Sequence, residues 1–370
     1  MAFLPTMDRP GKRMVVALCP GGVEASGGIG RMMGYLDTAL RHRKDSPHLI
    51  ILDTRGADHI LLAPLHFARA LGQITWLAAT GRISVLHVNL ASRGSTLRKA
   101  VVVGLARTLR IPYFIHLHGA DFVGFFGSAP HFAKAVIRWM FHGAAATVVL
   151  GDAWRRFAIS TLGVAPQRIK VIYNGAPEPT RLNAPSAGDT PIILFLGRID
   201  PSKGMPELLE ALARPEVMAR GWRVVAAGLG DIETYASRAA ALGLGERITF
   251  TGWVGRETVE DLIISATFLV LPSYVEGLPV AVIEAHAHGL PVIASPVGAT
   301  AEIVRDGETG LLVPPGDVDA LAAAMVRLLD DPDLRQRLAE GARRLFRARL
   351  DVDIVAAAFA DLYATVGRWS

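Results

Sequence analysis

The sequence predicts an α/β protein made of two doubly wound, mainly parallel sheets, each with its own core. Three observations predict it. Short apolar runs of strand length alternate with helix-period segments along the chain from residue 14 onward. The alternation breaks at residues 174–190, which have the Pro, Gly, Ala and polar composition of a linker. A chain of 370 residues, 51% of them hydrophobic, is long enough for two separate cores.

The elements follow in order. Residues 14–18 read as an apolar strand, and Gly27-Gly28-Ile29-Gly30 opens a helix through about Arg43. Strand 49–52 ends in Asp53-Thr54-Arg55-Gly56, a helix covers 63–80, and strand 85–88 comes next. Residues 95–109 are helical, and strand 113–117 runs into His118-Gly119. Helix 131–142, strand 146–150, a short helix 153–161 and strand 169–172 complete the first set. The β-α-β-α order implies parallel pairing. After the linker, strands 192–196, 223–227, 248–251, 266–271 and 292–294 alternate with helices 206–212, 233–242, 259–265 and one running from Pro279. Helices 318–329, 334–350 and 353–366 follow. The expected divisions are a first domain over 1–175, a linker over 176–190, a second domain over 191–350, and a C-terminal helix over 351–370 that crosses back to the first domain.

Bulk composition narrows the setting. Cys19 is the single cysteine, so the chain makes no internal disulfide and offers no thiol-based metal site, which points to a reducing cytoplasm. No long apolar segment follows the N-terminal charges, so no signal peptide is expected. No run approaches the roughly 18 apolar residues of a membrane span. The net charge of +5 conceals an asymmetry: 21 Lys and Arg face 9 Asp and Glu up to residue 180, against 18 and 25 beyond it. A basic first half suits an anionic partner such as a membrane surface, a lipid diphosphate or a nucleic acid. Two basic helices with an apolar face stand out there, around Arg98, Lys99, Arg107 and Arg110 and around Lys134, Arg138 and Trp139. No nucleic-acid-binding module is recognisable, so no nucleic-acid partner is expected.

The most informative segment runs Pro272-Ser273-Tyr274-Val275-Glu276-Gly277-Leu278-Pro279, then into a helix holding Glu284. It places Glu276 on a strand-to-helix loop at the carboxyl edge of a sheet and Glu284 about two turns into the helix. The amides of Gly277 and Leu278 at the helix N-terminus are a natural seat for a phosphate. One geometry uses all of these groups: a sugar hydroxyl on Glu276, a diphosphate at the helix start and a ribose diol on Glu284. The loop Gly197-Arg198-Ile199-Asp200-Pro201-Ser202-Lys203-Gly204 adds two cations, Arg198 and Lys203, suited to balance charge on a departing diphosphate. His116 and His118 share one face of their strand, with His118 nearer the loop. With no obvious third ligand they make a poor metal pair.

These motifs resemble the retaining glycosyltransferase family 4, the group 1 glycosyltransferases. The segment from Glu276 to Glu284 is similar to their Glu-x7-Glu signature, and Arg198 with Lys203 to the arginine and lysine that hold the donor diphosphate. Gly27 and Gly28 resemble the family's glycine-rich first loop, and Gly228 and Gly230 its glycine pair on the following loop. Phe250-Thr251-Gly252-Trp253-Val254 resembles the segment whose backbone contacts the base, with Val254 as the contact. His118 resembles the histidine presented to the sugar. The resemblance covers almost the whole chain and is strongest over residues 171–317.

The resemblance implies the GT-B fold, two Rossmann-like domains facing a cleft that the linker closes. It implies transfer of a sugar from a UDP-, GDP- or ADP-sugar to a hydroxyl acceptor with retention of configuration, in polysaccharide or glycolipid synthesis. The donor would bind the second domain and the acceptor, lipid-linked or free, the first. No metal or other cofactor is implied. The basic first half adds the expectation of a cytoplasmic, peripheral protein on the inner face of a membrane. The alternatives are a nucleotide-sugar 2-epimerase or hydrolase on the same scaffold, which would act without an acceptor, and a non-catalytic nucleotide-sugar-binding protein.

Overall fold

The computed structural model describes residues 13–23, 27–44, 46–56, 60–185 and 190–369. Residues 186–189 of the expected linker fall outside them. The chain divides into two compact units, residues 1–172 with 355–370, and residues 173–354.

The first unit contains β1 (Met14–Cys19), α1 (Gly28–His42), β2 (Leu49–Asp53), α2 (Ala63–Ala79), β3 (Ile83–Leu90), α3 (Gly94–Thr108), β4 (Tyr113–Leu117), α4 (Phe122–Ser128), α5 (His131–His142), β5 (Ala146–Val149), α6 (Asp152–Ser160) and β6 (Ile169–Val171). Its sheet has the order β2-β1-β3-β4-β5-β6, parallel throughout. Helices cover both faces, so β1 and β3 are buried along their whole length. β1 is correspondingly a continuous apolar run, whereas β3 carries Ser84, His87 and Asn89 among its apolar residues. The chain reverses its direction of travel across the sheet at β1, with β2 on one side and β3 on the other. The carboxyl ends of β1 and β3 therefore flank a topological switch point, where ligands of open α/β sheets bind.

The second unit contains β7 (Ile192–Leu196), α7 (Met205–Leu212), α8 (Pro215–Met218), β8 (Arg223–Ala227), α9 (Ile232–Ala241), β9 (Ile248–Gly252), α10 (Arg256–Ser265), β10 (Phe268–Leu271), α11 (Val280–His288), β11 (Val292–Ala294), α12 (Thr300–Ile303), β12 (Leu311–Leu312), α13 (Val318–Asp330) and α14 (Pro332–Leu345). The sheet order is β12-β11-β10-β7-β8-β9, again parallel. Its switch point lies between β7 and β10. A π-helical stretch, Phe346–Leu350, follows α14, and α15 (Val352–Val366) ends the described elements.

Several elements differ from expectation. The segment expected as one helix over 334–350 is α14 followed by the π-helical turn. The short helices α4, α8 and α12 and the two-residue β12 carry too little periodicity to be seen in sequence. Residues 173–185 belong to the second unit, tied down by Asn183, whose side chain donates to the carbonyls of Ile263, Ile264 and Ala266. Lys99, expected on the basic face of α3 toward an anionic partner, is instead fully buried.

Candidate active site

In the second unit, the loops at the carboxyl ends of β7, β8, β10 and β11 are tied to one another. Ile199 N donates to Leu229 O at 2.8 Å, Tyr274 N to Ser202 O at 2.9 Å, and Ala299 N to Gly277 O at 2.9 Å. Glycine makes this approach possible at Gly228 and Gly230. A Cβ on Gly228 would lie 1.8 Å from Gly197 O, and one on Gly230 2.1 Å from Ile199 O. Gly228 also has φ +154°, at the border of the region that favours glycine. The glycine pair thus admits the backbone of the Arg198 loop.

That loop carries Lys203 to Glu276. The Lys203 ammonium donates to Glu276 Oε1 at 2.6 Å and to Val275 O at 3.0 Å, and Ser273 Oγ donates to the same Oε1 at 2.9 Å. The two side chains are 17% and 11% exposed, so the pair is largely shielded from water. Arg198 is 72% exposed. Its Nε donates to Asp200 Oδ2 at 2.8 Å, and Ser202 Oγ donates to Asp200 Oδ1 at 2.6 Å. Burial pushes the Asp200 carboxyl up, but Ser202 and Arg198 outweigh it and hold the pKa below the usual value. Arg198 is therefore anchored at Nε beside an ionised carboxylate, with its terminal nitrogens toward solvent.

Helix α11 begins after Pro279, which is its N-cap rather than a first-turn residue. Asn174 Nδ2 donates to Leu278 O at 2.9 Å and fixes the helix start, and Leu278 is itself buried. Glu284 lies in the second turn and is 5% exposed. Val254 is half-buried on the loop between β9 and α10, and the adjoining Trp253 is exposed. The structure thus brings Lys203, Glu276 and Gly277 onto interlocked loops at the switch point, with Arg198 and the two glycines on the adjoining stretch.

In the first unit, Gly27 is the N-cap of α1 and Gly28 its first residue. Both are exposed, and a Cβ on Gly27 would meet nothing within 4 Å among the described residues. His118 follows β4 and is buried. Asn89 Oδ1 accepts from its Nε2 at 2.7 Å, which fixes the tautomer, and burial pulls the imidazole down to about 3. His118 is neutral at physiological pH. Its ring lies 3.7 Å, centroid to centroid, from that of His116. His116 in turn hydrogen-bonds His87 at 3.0 Å, and His87 bonds the Tyr363 hydroxyl at 2.9 Å. Sequence reasoning missed His87, Asn89 and Tyr363. The available signal was the pair of alternating polar residues His87 and Asn89 inside a largely apolar strand. Parallel register sets Asn89 opposite His116 and so assembles the cluster. Among the described residues, no group of three or more His, Cys, Asp or Glu side chains is placed to hold a metal.

Two six-stranded parallel sheets flanked by helices define the GT-B class of glycosyltransferase folds, and solved structures agree. Sucrose-phosphate synthase from Thermosynechococcus elongatus superposes with a TM-score of 0.80 at 23% identity, over 96% of this chain and 99% of that one. Anabaena HepE in complex with UDP and glucose gives 0.75 at 19% identity, over 95% and 100%. The family model described as glycosyl transferases group 1 matches residues 179–345, and the glycosyl transferase 4-like domain matches residues 14–175. The chain belongs to the group 1 glycosyltransferases, glycosyltransferase family 4. The alpha-D-kanosaminyltransferase of Streptomyces kanamyceticus is 35% identical over 48% of this chain and 47% of its own length. The chain matches about half the length of the first such relatives.

Proposed function

We propose that the chain transfers a sugar from a nucleotide-sugar donor to a hydroxyl acceptor with retention of configuration. The observation that carries this reading is the Lys203–Glu276 pair, held with the Arg198 loop at the switch point between β7 and β10. The second unit takes the donor. Arg198 and Lys203 stabilise the diphosphate as it departs, where developing charge is largest. Glu276 positions the sugar, Glu284 the ribose diol, and the loop around Val254 the base. Gly27 and Gly28, at the open start of α1, allow close backbone approach by substrate. Neutral His118 serves as a hydrogen-bonding group toward the sugar. No carboxylate is assigned as a nucleophile, so the acceptor attacks the face the diphosphate leaves, and the departing phosphate takes the acceptor proton. The cationic pair supplies the charge that a divalent metal would otherwise provide.

UDP-sugars are the first donors to test, since HepE is similar in fold and was solved with UDP and glucose. The experiment is to supply UDP-glucose with a panel of hydroxyl acceptors and read the anomeric proton of the product by NMR. An α-linked product supports the reading. A β-linked product overturns retention, and free sugar or epimer formed without acceptor overturns transfer.

A second reading concerns place. No helix among the described residues is long and apolar enough to cross a membrane. On α5, Phe132 is 74% exposed, and Val136 and Trp139 are also exposed, beside the cations Lys134 and Arg138. Leu97 and Val101 are exposed on α3. This mixture of apolar and basic side chains suits peripheral binding to the anionic inner face of a membrane. Sedimentation with anionic vesicles at low salt tests it, and indifference to them sinks it.

A further inference from the structure

Next to the switch point of the first unit, Lys99 of α3 lies beside the carboxyl ends of β1 and β2, and among the described residues three cations gather there with one carboxylate. Lys99 is fully buried, and its single hydrogen-bond partner among the described residues is the hydroxyl of Thr54, at 2.8 Å. Burial pulls the Lys99 ammonium down to about 7. Its neighbour Cys19 cannot offset this, because burial pushes the thiol up to about 12 and keeps it neutral. Arg98 lies back over the first turn of α3, with Nη1 3.5 Å from where a Cβ on Gly94 would stand, and its buried Nε has no partner among the described residues. That turn carries no acidic residue, so a guanidinium sits against the positive end of a helix. Arg55 is within electrostatic reach of Arg98, and Asp53 of both Arg98 and Lys99.

Asp53 does not neutralise the cluster. Its Oδ1 already accepts from the amides of Gly21, Arg55 and Gly56 at 2.7–2.9 Å, and its Oδ2 from Gly56 at 3.0 Å. Among the described residues, three cations against one occupied carboxylate leave an excess of two positive charges when Lys99 is protonated. An arrangement this unfavourable by itself is complementary to a dianion.

We infer that Arg55, Arg98 and Lys99 form a binding site for a phosphate ester carried by the acceptor. A dianionic phosphate matches the excess charge, whereas a carboxylate leaves half of it uncompensated. Arg98 supplies directional hydrogen bonds at the surface, and Lys99 supplies charge from beneath. The inference rests on the transferase reading only in naming the anion as part of the acceptor.

The test uses the full chain with inorganic phosphate, glycerol 3-phosphate, and phosphatidylcholine vesicles doped with phosphatidic acid. Arg98→Gln should weaken binding about tenfold, the loss of one charge-assisted interaction. Lys99→Met should do the same while folding at least as stably as the parent in phosphate-free buffer, because it removes an ill-compensated buried charge. A lysine needed only for structure would instead lower the melting temperature. Binding of the soluble ester assigns a soluble acceptor, and binding of the vesicles alone, lost in Lys99→Met, assigns a lipid headgroup. Either supports the site. Absence of binding to every probe, or binding that both variants leave unchanged, overturns it. UDP binding and transfer are measured on the same samples. Transfer without Lys99-dependent phosphate binding refutes the site alone, and phosphate binding without transfer refutes the transferase reading alone.

Discussion

Lys203 and Glu276, 73 residues apart in sequence, meet at 2.6 Å across the loops that follow β7 and β10. The pair belongs to the fold as well as to the proposed chemistry, because both side chains are largely shielded from water. Removing either partner leaves the other's charge poorly compensated. Lys203→Met and Glu276→Gln should each cost about 2–3 kcal/mol, less than a fully buried pair because some solvent screening remains. The double variant should cost less than the sum. A denaturation double-mutant cycle checks this, and strict additivity would show that the pair contributes no coupling.

Glu284→Gln keeps the volume of the side chain and removes its charge. If Glu284 receives the ribose diol, UDP binding by calorimetry should weaken by about 1.5–3 kcal/mol. Unchanged affinity would remove Glu284 from the donor site.

The glycine at 228 tests whether the loops work as a unit. A methyl group there meets Gly197 O at 1.8 Å, so the Arg198 loop must move. Gly228→Ala should destabilise the fold by about 1–3 kcal/mol, as overpacking does, and should also weaken UDP binding. A variant with normal stability and affinity would mean that the two loops separate freely.

Four buried histidines set a pH dependence. Burial pulls His118 down to about 3, His286 to about 4, and His87 and His116 well below the ordinary value of 6.5. The unfolded chain therefore binds more protons than the folded one below pH 6.5. Stability from these groups is fully present above that pH and is lost as pH falls toward 4 and then 3. Each such proton steepens the loss by about 1.4 kcal/mol per pH unit. Urea unfolding from pH 7.5 to 4.5 measures it, and a flat profile would show that the cluster protonates without cost.

Transfer should survive excess EDTA, because Arg198 and Lys203 are assigned the charge-balancing role. Activity lost in chelator and restored by a divalent ion would contradict that assignment.

Much of the chain was legible as sequence. Strands covered on both faces read as continuous apolar runs, which is why β1, β7 and β10 were visible, and the loop residues Arg198, Lys203, Glu276, Gly228 and Gly230 could be picked out by their places after strands. Local pattern determined which residues lie at the sheet edge. It did not determine which of them touch. The Lys203–Glu276 pair depends on β7 and β10 being neighbours, a consequence of the strand order rather than of either segment. The histidine cluster depends on the register of β3 against β4 and on Tyr363, which returns to the first unit from near the far end of the sequence. Lys99 shows the limit most plainly. Its sequence neighbours mark a basic helix, but it is fully buried, and burial beside the Thr54 hydroxyl and the neutral Cys19 thiol turns a surface charge into a candidate binding group. Sequence settles hydrophobic pattern and turn chemistry, since these act over a few residues. Side-chain environments are set by packing between distant segments, and that is decided only in the tertiary structure.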